Sequence, residues 1–250
     1  MINQKDGMMT RTVLVTGTSK GFGEAIAEEF LAAGEKVVGV SRTAGPLADR
    51  SGAAELIHHC GDATDAELAT ALLSHYRPEV LILNAGTIGS IAPITEQSWA
   101  SFSATWETDV KATLVWCQAA ARLRLSGMTI VIVSSGAAMG GSPYSGGYSG
   151  AKRMQWIMAS YFKDECDRLG LEIDFLTILP RITGDTDLSR AAAEAYGERY
   201  SLSAKDWLAG LGSPFDRRKL AATLRALLDL APDERAAAYA INGDGFREVA

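Results

Sequence analysis

The chain has 250 residues, of which 47% are hydrophobic and 22% are charged, a composition that can bury a full core and is neither collagen-like nor disordered. Its 24 basic and 30 acidic residues give a formal net charge of −6, which argues against nucleic-acid binding. No apolar run is long enough to cross a bilayer, and the start lacks the pattern of a secretory signal. We therefore expect a globular, cytoplasmic protein without a membrane partner.

The cysteines and the N-terminal residues indicate how the chain is organised. Cys60, Cys117 and Cys166 lie far apart, and the three histidines have no metal-type spacing to them, so we expect neither disulfides nor a metal site. Residues 1–10 are polar and predict a flexible arm. Because no linker or repeat divides the remainder, residues 11–250 are predicted to form a single domain.

Seven short apolar or β-branched runs recur along the chain. Most of them show no alternation, which is typical of strands covered on both faces. Their starts are 19 to 65 residues apart, too far for hairpins, and most intervals hold a helix-like stretch. This order predicts an α/β protein with a parallel, doubly wound sheet. The runs begin at Thr12, Lys36, Glu55, Glu79, Thr129, Glu172 and Ala237.

A glycine-rich loop follows the first predicted strand, and a helix is predicted from about Gly23. Glycines allow a close approach to a pyrophosphate, and the amides of a helix N-terminus attract its charge. The position between a buried strand and an amphipathic helix matches a dinucleotide fingerprint, with a tight turn without ligand as the alternative. The candidate cofactor-binding residues here are Gly17, Thr18, Ser19, Lys20, Gly21, Phe22 and Gly23.

The second predicted strand ends near Ser41 and Arg42, where an NAD site places an acid on the ribose 2′-hydroxyl. No acid stands at these positions. Arg42 can instead meet a 2′-phosphate with its planar fork of donors, and Lys20 adds a second positive charge. The two residues favour NADP over NAD as cofactor, with two solvated surface cations as the alternative.

A serine- and glycine-rich stretch after the fifth predicted strand leads to Tyr148 and Lys152. If a helix begins at Tyr148, Lys152 is its i+4 neighbour on the same face. A nearby ammonium favours the phenolate, which makes Tyr148 a candidate general acid/base. A serine hydroxyl from a strand end could hold a carbonyl oxygen where negative charge develops during hydride transfer.

Four motifs together resemble the short-chain dehydrogenase/reductase family: TGTSKGFG from Thr16, LNAG from Leu83, YSGAK from Tyr148, and a serine thirteen residues before that tyrosine. The resemblance extends from Arg11 to Asn242. It implies a Rossmann-type doubly wound sheet of seven parallel strands with helices on both faces. It also implies hydride transfer between NADP(H) and a carbonyl/alcohol substrate, with reduction of a ketone or aldehyde as the favoured direction.

The resemblance also implies roles for single residues. Tyr148 would be the proton donor or acceptor, and Lys152 would bind the nicotinamide ribose. Ser135 would polarise the carbonyl, and the thirteen-residue spacing picks it over Ser134. Asp62 is assigned to the adenine, with helix capping as the alternative. The other implied cofactor contacts are Ala63, Asn84, Ala85, Gly86, Pro180, Ile182 and Thr183.

Two charged residues depart from the family pattern. Asp109 stands where the family has an asparagine that holds a water in a proton relay. An ionised aspartate donates no hydrogen bond, and its charge favours the protonated forms of Lys152 and Tyr148. We expect a slowed relay or a pH optimum shifted upward, with a solvent-facing helix residue as the alternative. Arg181 replaces the family's glycine after Pro180, and either attracts an anionic substrate group or is an ordinary surface arginine.

The least regular part of the chain runs from residue 181 to residue 216 and carries Tyr196, Tyr200 and Trp207. Ligands of an open α/β sheet bind outside the carboxyl ends of the strands, where this segment begins. Because long connections in compact domains are often lids, residues 181–216 are a candidate substrate lid. An ordinary pair of surface helices is the alternative.

A rival function comes from another class of protein, a dinucleotide-binding sensor or scaffold with little turnover, for which Asp109 is the main argument. A sugar-nucleotide epimerase or dehydratase is disfavoured by the three-residue gap between the first two glycines. The family resemblance further implies a homotetramer or homodimer, assembled through the helices around Asp109 and Tyr148. The expected partner otherwise is a small-molecule carbonyl or alcohol substrate, which the sequence does not identify.

Overall fold

The computed structural model describes residues 10–49 and 56–250. Residues 1–9 of the predicted N-terminal arm lie outside these described residues. Glu55, the expected start of the third strand, also lies outside them. One sheet contains the strands of the described chain, which are β1 (Thr12–Thr16), β2 (Lys36–Ser41), β3 (Leu56–Cys60), β4 (Val80–Leu83), β5 (Met128–Val133), β6 (Ile173–Pro180), β7 (Ala238–Asn242) and β8 (Gly245–Glu248).

The strands lie in the order β3-β2-β1-β4-β5-β6-β7-β8, and every neighbouring pair is parallel except β7 and β8. The order reverses between β1 and β4, so a crevice opens at the carboxyl ends of these strands. The predicted doubly wound sheet is confirmed, and each of the seven apolar runs contributes a strand. The antiparallel β8 was not predicted, because this four-residue edge strand is mostly exposed and has no apolar run.

Helices cover both faces of the sheet. None of those described is long and apolar enough to span a membrane. They are α1 (Gly21–Ala32), α2 (Ala66–Tyr76), α3 (Trp99–Thr105), α4 (Lys111–Arg122), α5 (Ala137–Gly140), α6 (Gly146–Arg168), α7 (Asp187–Arg199), α8 (Ala204–Ala209) and α9 (Arg217–Leu228).

The hydrophobic core is divided by the sheet into two layers. Val13 and Val15 of β1 pack with α1 and α9 on one face, where Phe30 is fully buried. Leu14 packs on the other face with α2, α4 and α6, where Trp116 is fully buried. Successive residues of a strand point to opposite faces. Burial of both faces therefore explains the apolar runs without alternation.

The helix that carries Tyr148 begins two residues earlier than predicted, at Gly146. The backbone carbonyl of Ser145 accepts hydrogen bonds from the amides of Tyr148 and Ser149, at 2.8 and 3.2 Å, and so caps the helix start. Tyr148 and Lys152 consequently lie within the first turns of α6, one turn apart, as the i+4 spacing predicts.

A π-helical turn at Trp106–Val110 separates α3 from α4 and contains Asp109. The backbone carbonyl of Asp109 accepts hydrogen bonds from the Thr113 hydroxyl, at 3.0 Å, and from the Gln155 amide of α6, at 3.1 Å. Such turns are rare in proteins, and those that occur often lie at functional sites. This one directs the Asp109 side chain toward Lys152.

We expect Gly147→Ala to destabilise the fold by about 1–3 kcal/mol, because a Cβ atom there would lie 2.0 Å from the Phe102 carbonyl oxygen of α3. An added methyl group would otherwise favour a helix. Gly140→Ala is the matched control, since a Cβ atom at that position has no neighbour within 4 Å. Urea unfolding of both variants checks the prediction, and equal midpoints would contradict it.

Candidate cofactor and active site

A cavity of about 1510 Å³ lies at the carboxyl ends of the parallel strands. Pockets for one small molecule usually have about 300–1000 Å³, so this one has room for a dinucleotide and a substrate together. Of the residues predicted from the sequence, Thr18 and Gly23 do not line it. The predicted residues that do are Gly17, Ser19, Lys20, Gly21, Phe22, Ser41, Arg42, Asp62, Ala63, Asn84, Ala85, Gly86, Asp109, Ser135, Tyr148, Lys152, Pro180, Ile182 and Thr183.

The glycine loop is packed tightly against the end of β4. Gly17 has a φ of +79°, and a Cβ atom there would lie 2.9 Å from the Cα atom of Ala85. A Cβ atom on Gly23 would lie 2.1 Å from the Gly17 carbonyl oxygen. The Asn84 amide donates hydrogen bonds to the carbonyls of Thr16, at 3.0 Å, and Gly17, at 3.3 Å. Gly23 therefore acts by allowing close packing rather than by lining the cavity.

The end of β2 carries polar groups that hold one another. The Ser41 hydroxyl donates to the Thr43 carbonyl and lies 2.8 Å from the Nε2 atom of His58. The buried Thr18 hydroxyl lies beneath it, at 3.4 Å. Arg42 is exposed and has no ion pair in the described chain. Its guanidinium is thus free to meet an anion at this end of the cavity.

Lys20 of the glycine loop has a partner that the sequence did not suggest. Its Nζ atom lies 2.9 Å from an oxygen of Asp187, the first residue of α7. This hydrogen bond holds the pKa of the Asp187 carboxyl below its usual value. Both side chains are largely exposed, so solvent screens the pair and it contributes little to stability.

Asp62 does not cap the helix that follows it. Its carboxylate accepts a hydrogen bond of 2.8 Å from the Thr64 amide, which lowers the pKa of Asp62. The N-cap of α2 is Asp65, which accepts from the amides of Glu67 and Leu68. The carbonyl of the adjacent Ala63 accepts from the indole of Trp116 at 2.8 Å, which fixes this loop to α4.

Tyr148 and Lys152 lie close together inside the cavity. The Nζ atom of Lys152 is 5.6 Å from the centre of the Tyr148 ring and donates to the Val133 carbonyl at 3.1 Å. Ser135 follows β5 and is half-buried. The buried Ser134 donates its hydroxyl to the Lys152 carbonyl at 2.8 Å. The Ser135 Oγ atom accepts a hydrogen bond from the Ala137 amide at 3.2 Å, and its own proton has no acceptor within the described residues.

Asp109 is fully buried and forms an ion pair with Lys152, with its Oδ2 atom 3.0 Å from the Nζ atom. Its Oδ1 atom accepts a hydrogen bond of 2.8 Å from the Thr87 amide. Burial lowers the pKa of Lys152, but the charges of Asp109 and Tyr148 outweigh this effect, and the pKa ends above its ordinary value. The alternative of a solvent-facing Asp109 is therefore excluded.

The residues after β6 fix the far wall of the cavity. Thr183 is buried, and its hydroxyl has no hydrogen-bond partner within the described residues. The Arg181 guanidinium donates to the carbonyls of Leu211 and Ser213 and lies over the Phe215 ring. Arg181 thus ties the segment after α8 to the sheet and is already occupied within the protein.

Several residues of the cavity had no assigned role from the sequence. The Thr87 amide and the Val133 carbonyl act through backbone atoms, which leave no mark in a sequence. Asp187 and Arg247 are brought to the cavity by the fold alone. Tyr196 and Trp207 also line it, and their only signal was their place in the 181–216 segment.

Known proteins resemble this chain in sequence over much of its length. A family model described as short chain dehydrogenase matches residues 11–197. A short chain dehydrogenase/reductase of Aspergillus aculeatus, AacuD, is 31% identical over 165 residues, which cover 62% of this chain and 58% of that protein. The chain thus spans less than two thirds of that relative's length.

Solved structures share the whole fold. A levodione reductase superposes with a TM-score of 0.80 at 21% identity, covering 94% of this chain and 98% of the other. ElxO with bound NADP superposes with a TM-score of 0.76 at 22% identity and the same coverage. At these identities the structures show a shared fold, while the family model covers most of the chain. The chain belongs to the short chain dehydrogenase family.

Proposed function

We propose that this protein is an oxidoreductase that transfers a hydride between NADP(H) and a carbonyl/alcohol substrate, with reduction of a ketone or aldehyde as its working direction. The observation that carries the proposal is the position of Tyr148 beside the buried ammonium of Lys152, in a cavity that also contains the glycine loop. A phenol next to a fixed positive charge is suited to give and take a proton.

The residues present fit a nicotinamide dinucleotide, which supplies a hydride when bound. The close packing of Gly17 on β4 sets the glycine loop beside the start of α1, whose free amides form an arrangement that attracts a pyrophosphate. The unpartnered hydroxyl of Thr183 is buried at the other end of the cavity, where it can bond a polar group of the nicotinamide. The residues that would complete the binding surface are Ser19, Lys20, Gly21, Phe22, Arg42, Asp62, Asn84 and Ile182.

The side chains of the site can supply the proton and stabilise the charges that the reduction of a carbonyl group requires. As the carbonyl carbon gains a hydride and forms its C–H bond, the C=O π electrons move onto the oxygen. The Ser135 hydroxyl donates a hydrogen bond to this oxygen, and Tyr148 transfers its proton to it. The phenolate that remains is stabilised by the Lys152 ammonium until a proton from solvent replaces the one given up.

Turnover separates this proposal from a dinucleotide-binding sensor or scaffold. The test is NADPH consumption, followed by absorbance, over a panel of ketones, aldehydes and quinones. We expect at least one carbonyl compound to be reduced with stoichiometric formation of its alcohol. NADPH binding without consumption across the whole panel would favour the sensor.

We propose NADP rather than NAD as cofactor because Arg42 is the unpaired cation at the end of β2. Arg42→Ala is expected to raise KM for NADPH about tenfold, since a charge-assisted hydrogen bond to a phosphate is lost, while KM for NADH stays nearly constant. Arg218→Ala, which removes an exposed charge of α9 outside the cavity, is the matched control. Equal effects on both cofactors would contradict the 2′-phosphate role.

Two further proposals concern the lid and the assembly. Residues 181–216 are proposed as the substrate lid because Thr183, Tyr196 and Trp207 line the cavity from this segment. A homodimer or homotetramer through α4 and α6 is proposed because Leu114 of α4 and Tyr161 of α6 remain exposed at 38% and 63%. Light scattering coupled to size-exclusion chromatography tests the assembly.

A further inference from the structure

We infer that the substrate is a flat, apolar carbonyl compound that carries a carboxylate at a distance from its carbonyl group. This inference rests on the proposed function and concerns the part of the cavity between Tyr148 and β8. Two features carry it, an aromatic wall and an arginine without a partner.

The aromatic wall consists of Tyr196 of α7 and Trp207 of α8. Their rings stack in parallel, with centroids 5.1 Å apart and an angle of 9° between the planes. Both line the cavity, together with Pro143, Leu188 and Leu211. Tyr196 also stacks on Tyr200, so the ring surface left for a ligand is the part that lines the cavity, and such a surface packs best against another flat apolar group. The wall therefore suits an aryl group better than a short aliphatic or sugar chain.

Hydrogen bonds fix this wall relative to the proposed acid. The Tyr196 hydroxyl is hydrogen-bonded to the Ser142 hydroxyl and accepts from the Tyr144 amide at 3.3 Å. Ser142 and Tyr144 belong to the loop that leads into α6 and Tyr148. The wall and the acid thus share one support, so an aryl group on the wall is held in a defined position relative to Tyr148.

Seven cationic side chains line the cavity, and two of them have neither an ion pair nor a hydrogen bond to a protein oxygen within the described residues. The first is Arg42, at the proposed cofactor end. The second is Arg247 of β8, at the opposite end. The other five are satisfied within the chain, Lys20 and Arg190 by Asp187, Lys152 by Asp109, Arg217 by Glu24, and Arg181 by backbone carbonyls.

Arg247 lies on the substrate side of the cavity. β8 pairs antiparallel with β7 and sets Arg247 opposite Ala240. The guanidinium reaches the Sδ atom of Met139, at 4.0 Å, and Met139 is four residues beyond Ser135. An exposed arginine that lines the cavity and has no oxygen partner in the described chain is suited to a carboxylate, which it can bind through two parallel hydrogen bonds.

Matched pairs of substrates test the inference. The probes are 4-acetylbenzoate and 4′-acetylbiphenyl-4-carboxylate, which differ in reach, each beside its methyl ester, with cyclohexanone as a non-aromatic ketone. We expect one of the acids to have a higher kcat/KM with NADPH than its ester, and the aryl esters to exceed cyclohexanone. An ester that matches or exceeds its acid in both pairs would overturn the carboxylate assignment.

Arg247→Gln should raise KM for the preferred acid about fivefold, the size expected for a partly exposed ion pair, and leave its ester unchanged. Arg218→Gln changes the net charge equally outside the cavity and should alter neither. Trp207→Leu should lower kcat/KM for acid and ester alike, about tenfold, and spare cyclohexanone. If Arg247→Gln affects acid and ester equally, the inference fails although the oxidoreductase stands. If no probe or other carbonyl compound is reduced, the proposed function fails first.

Discussion

Tyr148→Phe is expected to lower kcat for a carbonyl substrate by about 10² to 10⁴-fold, the usual contribution of a positioned proton transfer. The variant keeps the ring that packs beside Lys152 and loses only the hydroxyl that supplies the proton. NADPH should still bind, because the glycine loop and Arg42 are untouched. Stopped-flow measurement of the hydride-transfer step, together with fluorescence titration of NADPH, separates the two effects.

The control for this variant is Tyr161→Phe on the same helix. Tyr161 is 63% exposed and does not line the cavity, so removal of its hydroxyl should leave kcat unchanged. A loss below tenfold for Tyr148→Phe on a true substrate would contradict the role of Tyr148. A comparable loss in both variants would point to a general effect on α6.

Much of this arrangement could be predicted from the sequence because it depends on neighbours along the chain. A βαβ unit begins with the strand before Gly17, the glycines that follow and the amphipathic helix after them. Each of these parts predicts the next one along the chain. Tyr148 and Lys152 are likewise brought together by a single turn of helix. Local spacing was therefore enough to predict the geometry of the glycine loop and the proximity of Tyr148 and Lys152.

The contacts that could not be predicted join residues far apart in sequence. Lys20 meets Asp187 only because α7 passes over the glycine loop. Arg247 reaches the cavity because the exposed edge strand β8 pairs antiparallel with β7. No apolar pattern in the sequence predicts this strand. The same holds for Arg181, which the sequence places beside the cavity mouth but which donates to carbonyls some 30 residues away.

Asp109 shows how a single departure from a family pattern acquires a physical meaning. From the sequence it was a carboxylate in place of an amide, with either a relay or a surface role. The π-helical turn buries it, and two donors, the Thr87 amide and the Lys152 ammonium, face its two oxygens. An asparagine offers only one acceptor oxygen for these two donors. The aspartate is thus matched to its surroundings rather than to the family pattern.

Asp109→Asn is expected to shift the pH dependence of carbonyl reduction to lower pH. The pKa of Lys152 is raised in the protein because the Asp109 carboxylate outweighs burial. Without that negative charge, only Tyr148 opposes the effect of burial, and the pKa of Lys152 falls. Loss of the Lys152 proton removes the charge that stabilises the phenolate left after proton transfer. The alkaline limb of the pH profile of kcat should therefore move to lower pH. An unchanged profile would contradict the coupling between Asp109 and Lys152.

The same substitution should reduce the free energy of unfolding at pH 7 by about 3 kcal/mol, since it removes one partner of a buried ion pair. The sign follows from linkage: a raised folded-state pKa stabilises the fold fully below the unfolded value of about 10.4, and this stabilisation is lost as pH rises through the folded value. Asp174→Asn is the control, because it breaks the pair of Asp174 with the buried Arg235, outside the cavity. It should lower stability without moving the pH profile, which distinguishes loss of folding from loss of the charge that sets the protonation of Lys152.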